Sequence, residues 1–217
     1  MYQHFFKRLI GCTLSLLGLI VCSVPMLIIA VAIKIDSKGP VIFKQERLGK
    51  GQKVFTVYKF RTMVNHAYEM GGVATRSDDA RITKTGAFLR RTSLDELPQM
   101  INILKGDMAI IGPRPILPVE FEPYKNNERY CRRYDILPGM FCTVDIDYRS
   151  DSDRDLQFRM DADYADQMSF GLDLRTFFGI IAPVVIGKNV YREEVSKDKS
   201  REVEENTYHN DSEKEYK

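Results

Sequence analysis

The stretch RRTSLDELPQMINILKGDMAIIGPRP, Arg90 to Pro115, sets two adjacent carboxylates, Asp95 and Glu96, between arginines and closes on Gly112-Pro113-Arg114-Pro115. Leu94, Leu97, Met100, Ile101 and Leu104 recur at helical spacing, which predicts a short amphipathic helix with one buried face. Ser93 and Glu96 have the spacing of a capping box. Pro98 favours a regular start nearer Asp95, because proline suits a first helical turn and breaks an interior. Either start places both carboxylates at the positive end of the helix, and Lys105-Gly106 supplies the stop.

Adjacent helical residues point roughly 100° apart, so these acids are not the opposed pair of a glycosidase unless a partner comes from elsewhere. Two roles suit them: one carboxylate as nucleophile, the other as ligand for a hard cation such as Mg²⁺. Plain capping of a helix by acids is the alternative for the dyad taken alone. Upstream, a helical patch at Ala87 to Arg91 brings Arg90 and Arg91 close to the dyad, either as salt-bridge partners or as phosphate ligands.

Further upstream, Val41-Ile42-Phe43 and Val54 to Tyr58 read as strands joined at Gly49-Lys50-Gly51, a β-hairpin. Lys44, Arg47, Lys50, Lys53, Lys59 and Arg61 are interleaved with it. Most of these suit anionic lipid headgroups. Lys59 and Arg61, clustered beside Phe60 at the strand's end, suit a phosphate site better. Val64 to Ala80 reads as a polar excursion between elements.

The N-terminal run from Leu9 to Ile33 carries no charge and is long enough, as a helix rising about 1.5 Å per residue, to cross a bilayer core. It is too long for the apolar region of a signal peptide, and no small-residue cleavage site follows it. Lys7 and Arg8 precede it and Lys34 and Lys38 follow, so flanking charge sets no orientation. Pro25 removes a backbone hydrogen bond to the turn around Val21, and Ser23 can lend its hydroxyl to the freed carbonyls. Both a kinked spanning helix and a broken helix that enters and leaves by one face satisfy this pattern.

Downstream, Pro118 to Tyr134 carries mixed charge and aromatics and reads as helical after Pro123, and Phe141 to Ile146 as a short strand. Asp145, Asp147, Asp151, Asp153 and Asp155 alternate, but a frame starting at Asp147 or Asp151 lacks the glycine and glutamate of an EF-hand, so the segment reads as a solvated loop. Phe177 to Ile186 is apolar but too short to span a membrane, and suits a helix lying at the interface or packed on the core. From Arg192 the chain is charged, with little to bury, and reads as a disordered tail.

The chain has 217 residues and a net charge of only +2, with no basic tract of the kind that binds nucleic acid. Its four cysteines, Cys12, Cys22, Cys131 and Cys142, form no CxxC pair, which argues against a disulfide framework and a zinc site. The three histidines are scattered. A reducing, cytosol-facing protein follows.

With these pieces in place, the chain resembles the bacterial sugar transferases of the small monotopic polyprenyl-phosphate phosphoglycosyl transferase family, from about Lys7 to Gly187. The motifs that carry the resemblance are GPVIFKQERLG at 39–49, YKFRTM at 58–63, DDARIT at 78–83 and TSLDELPQMINILKGDMAIIGPRP at 92–115. With no preceding multi-helix membrane domain in the sequence, it resembles the minimal form. The resemblance implies an α+β fold in one membrane-associated domain. Its parts are a re-entrant helix over 1–36, broken at Ser23 and Pro25, a catalytic domain over 37–191 with a β-hairpin and interfacial helices, and the tail at 192–217.

It also implies an enzyme on the bacterial inner membrane, facing the cytoplasm, that moves a sugar phosphate from a UDP-sugar to undecaprenyl phosphate, releases UMP and starts a surface glycan. Asp95 would be the nucleophile, forming a covalent phosphosugar intermediate, and Glu96 would hold Mg²⁺. Lys59, Arg90 and Arg114 stand at the family's phosphate-contact positions, with Arg61 close by. Downstream glycosyltransferases and a second copy of the chain are the further partners it admits. A non-catalytic relative that binds nucleotide-sugar, lipid phosphate or partner enzymes is the alternative.

The sequence departs from the family pattern in three places. The usual Ser-Pro pair is Ser23-Val24-Pro25, an Asp that often follows the Lys-Arg start is Gly11, and the segment after Pro138-Gly139 keeps only Arg149 clearly. Asp161, Tyr164, Ser169 and Asp173 return to the pattern. The altered loop bears on nucleotide and sugar recognition, while the dyad and its phosphate ligands are intact.

Overall fold

The computed structural model describes residues 2–71, 79–144 and 154–185. The chain divides into two units, Met1–Ala182 and Pro183–Lys217, and the account below concerns the first. The tail from Arg192 and four of the alternating aspartates, Asp145, Asp147, Asp151 and Asp153, lie outside the described residues.

The uncharged N-terminal run folds as two helices. After a π-helical lead-in at Tyr2–Phe6 come α1, Lys7–Val21, and α2, Ser23–Asp36, bent by 62° where they meet. Pro25 has no N–H to bond the previous turn, and Ser23 Oγ donates instead to the Ile20 carbonyl at 2.7 Å. Neither helix alone is long and apolar enough to cross a membrane, whereas the bent pair meets the requirement by length and composition. Leu17, Ile20, Val21, Val24, Leu27 and Ile28 are all exposed.

The other face of α1 is built from small residues. Gly11 and Ser15 are buried, and a Cβ at Gly18 would stand 2.7 Å from Met100 Sδ. This close approach seats α1 on α5, Gln99–Lys105, the helix predicted from the opening stretch. Arg8 fixes the contact by donating to the carbonyls of Ile103 and Leu104, the latter at 2.8 Å, at the negative end of α5. Lys7 reaches Asp173 at 2.6 Å and the Tyr164 hydroxyl at 2.5 Å.

The hairpin forms as predicted and runs further on both sides. β1, Ile42–Leu48, pairs antiparallel with β2, Val54–Phe60, from Ile42 opposite Phe60 to Leu48 opposite Val54. The turn uses Gly51 at φ +65°. Alternation along β2 buries Val57 and Phe60 in two different apolar clusters. In the polar excursion that follows, Ala67–Gly71 forms a short helix, α3. The helical patch at 87–91 is the greater part of α4, Lys84–Thr92, capped by the Thr83 hydroxyl accepting from Gly86 N at 3.0 Å. Gly86 packs against the backbone just past β2 so tightly that a Cβ there would lie 1.9 Å from the Thr62 carbonyl oxygen.

The structure corrects the predicted start of the dyad's helix. Ser93 is left-handed at φ 57° and makes no side-chain cap, so the Ser93–Glu96 capping box does not form. Leu94–Glu96 is a 3₁₀ turn, with Leu97 N bonded to Leu94 O, and α5 starts only after Pro98. Proline has no N–H with which to continue an α-helical ladder from Leu94, so the tighter turn takes over. The dyad therefore precedes the helix instead of occupying its first turn. Gly106 ends α5 at φ 95°, as predicted.

After α5, β3, Ala109–Ile111, pairs in parallel with β4, Gly139–Phe141. This corrects the strand expected at 141–146: β4 lies before it and shares only Phe141 with it, Cys142 to Val144 are not strand, and residues 145–146 lie outside the described ones. The pairing is made here because Gly112 and Gly139 can come together: a Cβ on Gly139 would lie 2.1 Å from Gly112 N. Between β3 and β4 the chain makes two short helices, α6, Pro118–Phe121, and α7, Glu128–Cys131, each followed by a 3₁₀ turn, where the sequence predicted a longer helix. α8, Arg154–Gln167, buries Phe158 among Phe121, Tyr134, Tyr124 and Tyr130. α9, Phe170–Val185, takes in the expected apolar patch as far as Val185, Ile186 lying outside the described residues, and starts seven residues before it; Thr176 and Ile180 are buried, and Phe170, Leu174 and Phe178 are exposed. The fold is α+β, as predicted.

Candidate active site

Three segments converge on the dyad: the end of β2, the 3₁₀ turn at 94–96, and the Gly112–Pro115 turn. Lys59 and Val57 lie on one face of β2, one pleat apart. Lys59 Nζ reaches Glu96 Oε1 at 2.7 Å, and Arg114 Nη2 stands 3.9 Å from the same oxygen. The two cations make a half-buried anion of Glu96. Burial works against its charged form, but the attraction of Lys59 and Arg114 outweighs this and holds the carboxyl below its ordinary value.

Asp95, one residue earlier, has the opposite setting. Burial, reinforced by the Glu96 charge, outweighs the pull of Lys59 and Arg90 and raises its carboxyl from 3.8 to about 6. Two neighbouring acids are thus driven apart in proton affinity, which is how a fold gives like groups unlike roles. Asp95 is ionised at neutral pH but poorly solvated, as suits a nucleophile, and Glu96 is firmly anionic, as suits a cation ligand.

The four cations named from the sequence do not all gather here. Lys59 and Arg114 flank Glu96, and Arg90 acts on Asp95 while its Nε donates to Thr62 Oγ1 at 2.9 Å. Arg61 points elsewhere. Its guanidinium, 5% exposed, donates to the carbonyls of Ser37 and Lys38 at 2.7 and 2.6 Å, and holds the end of α2 against the hairpin. Gly39, at φ +125°, makes room for it, since a Cβ there would lie 2.0 Å from Arg61 Nη1. Strand alternation puts Arg61 on Lys59's side of the chain for as long as the extended course continues, so its turn toward the end of α2 left no mark in the spacing.

A shallow, open cleft lies beside Glu96, lined by Arg47, Lys59, Glu96, Gln99, Arg114 and Met140 among others. Arg47 was missed as a site residue, having been read with the cations that suit lipid headgroups. Its guanidinium bonds Gln45 Oε1 at 2.6 Å and the Pro115 carbonyl at 3.3 Å; burial lowers its pKa to about 10, so it remains charged. Gln99 was also missed, although it lies one helical turn beyond Glu96 in the same quoted stretch; it is 3% exposed. Met140 belongs to the segment that departs from the family pattern. Ser23 and Pro25 sit together at the bend between α1 and α2.

The Gly112–Pro115 turn is held unusually firmly. Gly112 N donates to Phe141 O at 3.0 Å, but the prolines at 113 and 115 offer no N–H, while the carbonyls of the turn still need partners. Four successive carbonyls, from Pro113 to Ile116, find donors in three segments: Pro113 O from Gly139 N of β4, Arg114 O from Arg133 Nη2, and Pro115 O and Ile116 O from Arg47 Nη1 and Leu48 N of β1.

Among the described residues no group of three or more His, Cys, Asp or Glu side chains could enclose a metal. Mg²⁺ does not require one, since it keeps waters and binds through one or two carboxylates plus substrate phosphates. The hard, anionic oxygens of Glu96 beside Asp95 fit that mode of binding.

The model for the bacterial sugar transferase family matches residues 2–187. The chain is 36% identical to the "Uncharacterized sugar transferase EpsL" of Bacillus subtilis, across 85% of this chain and 89% of that one. It is 38% identical to the "Exopolysaccharide production protein PSS" of Rhizobium leguminosarum bv. phaseoli, across 84% and 96%. It is also 38% identical to the "UDP-glucose:undecaprenyl-phosphate glucose-1-phosphate transferase" of Klebsiella pneumoniae, across 86% of this chain but only 41% of that longer relative.

Proposed function

The chain belongs to the bacterial sugar transferase family, and from that premise we propose that it transfers a sugar 1-phosphate from a UDP-sugar to undecaprenyl phosphate through a covalent intermediate on Asp95. The observation that carries this reading is the split dyad: a poorly solvated carboxylate next to a firmly anionic one, with Lys59 and Arg114 beside it and Arg90 acting on Asp95.

The Asp95 carboxylate attacks the phosphorus that bears the sugar. The bond from that phosphorus to the bridging oxygen breaks, and UMP leaves with the electron pair, giving an acyl phosphate on Asp95. A phosphate oxygen of undecaprenyl phosphate then attacks the same phosphorus, and the Asp95 carboxylate departs, leaving undecaprenyl diphosphate-sugar. One site thereby serves a soluble donor and a membrane-bound acceptor in turn.

Phosphoryl transfer depends chiefly on position and on compensating charge. Arg114 and Lys59 supply cations for the reacting phosphate, and Arg47, at the cleft wall, supplies one for the phosphate of the leaving UMP. Glu96 would hold Mg²⁺, which when bound neutralises diphosphate oxygens. Arg61 is assigned to anchoring α2, and not to substrate.

The bent pair α1–α2 fits a re-entrant anchor in the cytoplasmic face of the bacterial inner membrane. Its exposed leucines, isoleucines and valines are costly in water and at home in lipid. Cysteines introduced before Lys7 and after Asp36 should both react with a membrane-impermeant reagent from the cytoplasmic side; reaction from opposite sides would mean a span.

The reaction is tested by intact-mass spectrometry of detergent-solubilised protein with Mg²⁺ and a panel of UDP-sugars, without lipid acceptor. A sugar-phosphate adduct on wild type and not on Asp95→Asn is expected. Absence of both adduct and UMP release across the panel would sink the catalytic reading in favour of a binding protein.

A further inference from the structure

Arg133 and Asp161 form an ion pair at 2.8 Å with each side chain only 1% exposed. Burying two charges is costly, and an apolar pair of similar volume commonly serves stability as well or better. The pair is therefore poorly explained as a stabiliser. The hydrogen bonding of the guanidinium shows what else it does: Nε and Nη1 have no hydrogen-bond partner, and Nη2 donates to the Arg114 carbonyl at 2.5 Å. The plane lies over the Phe158 ring, 4.6 Å from its centroid, which leaves Arg133 little freedom.

That carbonyl is where Arg114's remaining backbone freedom resides. Pro113 and Pro115 each have φ locked near −65°, and a residue before proline is confined to extended conformations. The rotation left to Arg114 is the one that swings its carbonyl, and with it the direction of its side chain toward the Glu96 cleft. We propose that the buried Arg133–Asp161 pair is a positioning device: Asp161 holds Arg133, Arg133 pins the Arg114 carbonyl, and the Arg114 guanidinium is thereby aimed at the diphosphate of the donor. This rests on the reading of the cleft as the UDP-sugar site.

The device spans three segments, Arg133 in the 3₁₀ turn after α7, Asp161 on α8, and the Gly112–Pro115 turn. None of the three is adjacent to another in sequence. Arg133 touches no substrate in this scheme and acts only through Arg114.

The test measures thermal stability and UDP affinity by calorimetry on wild type, Arg133→Met, the double variant Arg133→Met/Asp161→Leu, and each of these in an Arg114→Ala background. Arg133→Met alone leaves the buried Asp161 charge and lowers stability, while the apolar double variant is expected to recover it. UDP affinity is expected to stay about tenfold weaker in the double variant, since the hydrogen bond from Arg133 Nη2 to the Arg114 carbonyl is then lost. With Arg114→Ala already present, the same changes should weaken UDP no further. Wild-type affinity in the double variant overturns the proposal, and so does a full additional loss in the Arg114→Ala background, which also decides the matter if the double variant is unstable. Wild type that binds UDP but turns over no UDP-sugar sinks the catalytic reading alone; wild type that binds no UDP overturns the proposal as well.

Discussion

Lys59 Nζ lies 2.7 Å from Glu96 Oε1, across 37 residues of sequence, and this contact divides the labour of the dyad. It spends the lysine's hydrogen bond on Glu96, leaving Asp95 only a more distant attraction that fails to offset its burial. Glu96 becomes the firm anion and Asp95 the reluctant one.

Asp95 should govern the acid limb of the pH–rate profile. Its carboxyl ionises near pH 6, so kcat/KM is expected to rise with pH through about 6 and then level off. An acid limb at the ordinary carboxylate position near 4 would remove Asp95 from the nucleophile's role.

The same shift has a stability consequence of definite sign. A carboxyl whose folded pKa is raised favours the folded state only while protonated. Its penalty is absent below 3.8 and complete above about 6. Asp95→Asn should therefore abolish turnover and yet stabilise the protein at pH 7 by about 1–2 kcal/mol, after allowance for solvent screening. The gain should vanish by pH 3.5, as differential scanning calorimetry at the two pH values would show.

Removing Lys59 withdraws the larger attraction from both acids. Lys59→Met is expected to move the acid limb upward in pH, to lower kcat/KM by about 100-fold, and to cost about 1–3 kcal/mol at neutral pH through the half-buried Glu96 left without it. A pH–rate profile unmoved by the substitution would show that Lys59 does not act on the titrating group.

Arg61 and Arg114 should separate cleanly. Arg61→Ala cuts three hydrogen bonds that tie the end of α2 to the hairpin and should cost about 2–4 kcal/mol in stability, with little change in donor KM at a temperature where the protein is folded. Arg114, with its side chain 42% exposed, should give the reverse on change to Ala: KM raised about tenfold and the melting temperature nearly unchanged. Equal effects on KM from the two would return Arg61 to the phosphate site.

Glycine-to-alanine changes in helices ordinarily stabilise by up to about 1 kcal/mol. At Gly86 the sign should invert to a loss of about 2–4 kcal/mol, because the new methyl would meet the Thr62 carbonyl backbone at 1.9 Å. At Gly171, where nothing lies within 4 Å of the added carbon, the usual gain is expected. Chemical denaturation of the two variants compares them directly.

The sequence by itself determined what depends on near neighbours. Two runs of β-branched and aromatic residues joined at Gly49-Lys50-Gly51 specified the hairpin, Pro25 with Ser23 specified the break in the apolar run, and Gly106 specified the end of α5. The tandem Asp95-Glu96 in its motif identified the dyad, because each of these signals is complete within a few residues of chain. Tertiary structure alone decided where the long cationic side chains went. Arg61 left the phosphate cluster for the end of α2, Arg47 entered the cleft, and Arg133 paired with Asp161 behind the Gly112–Pro115 turn. An arginine side chain is long, and its guanidinium can serve a carboxylate, a carbonyl or a phosphate equally well. Its partner is settled only when distant segments pack, so spacing along the chain carries no record of it.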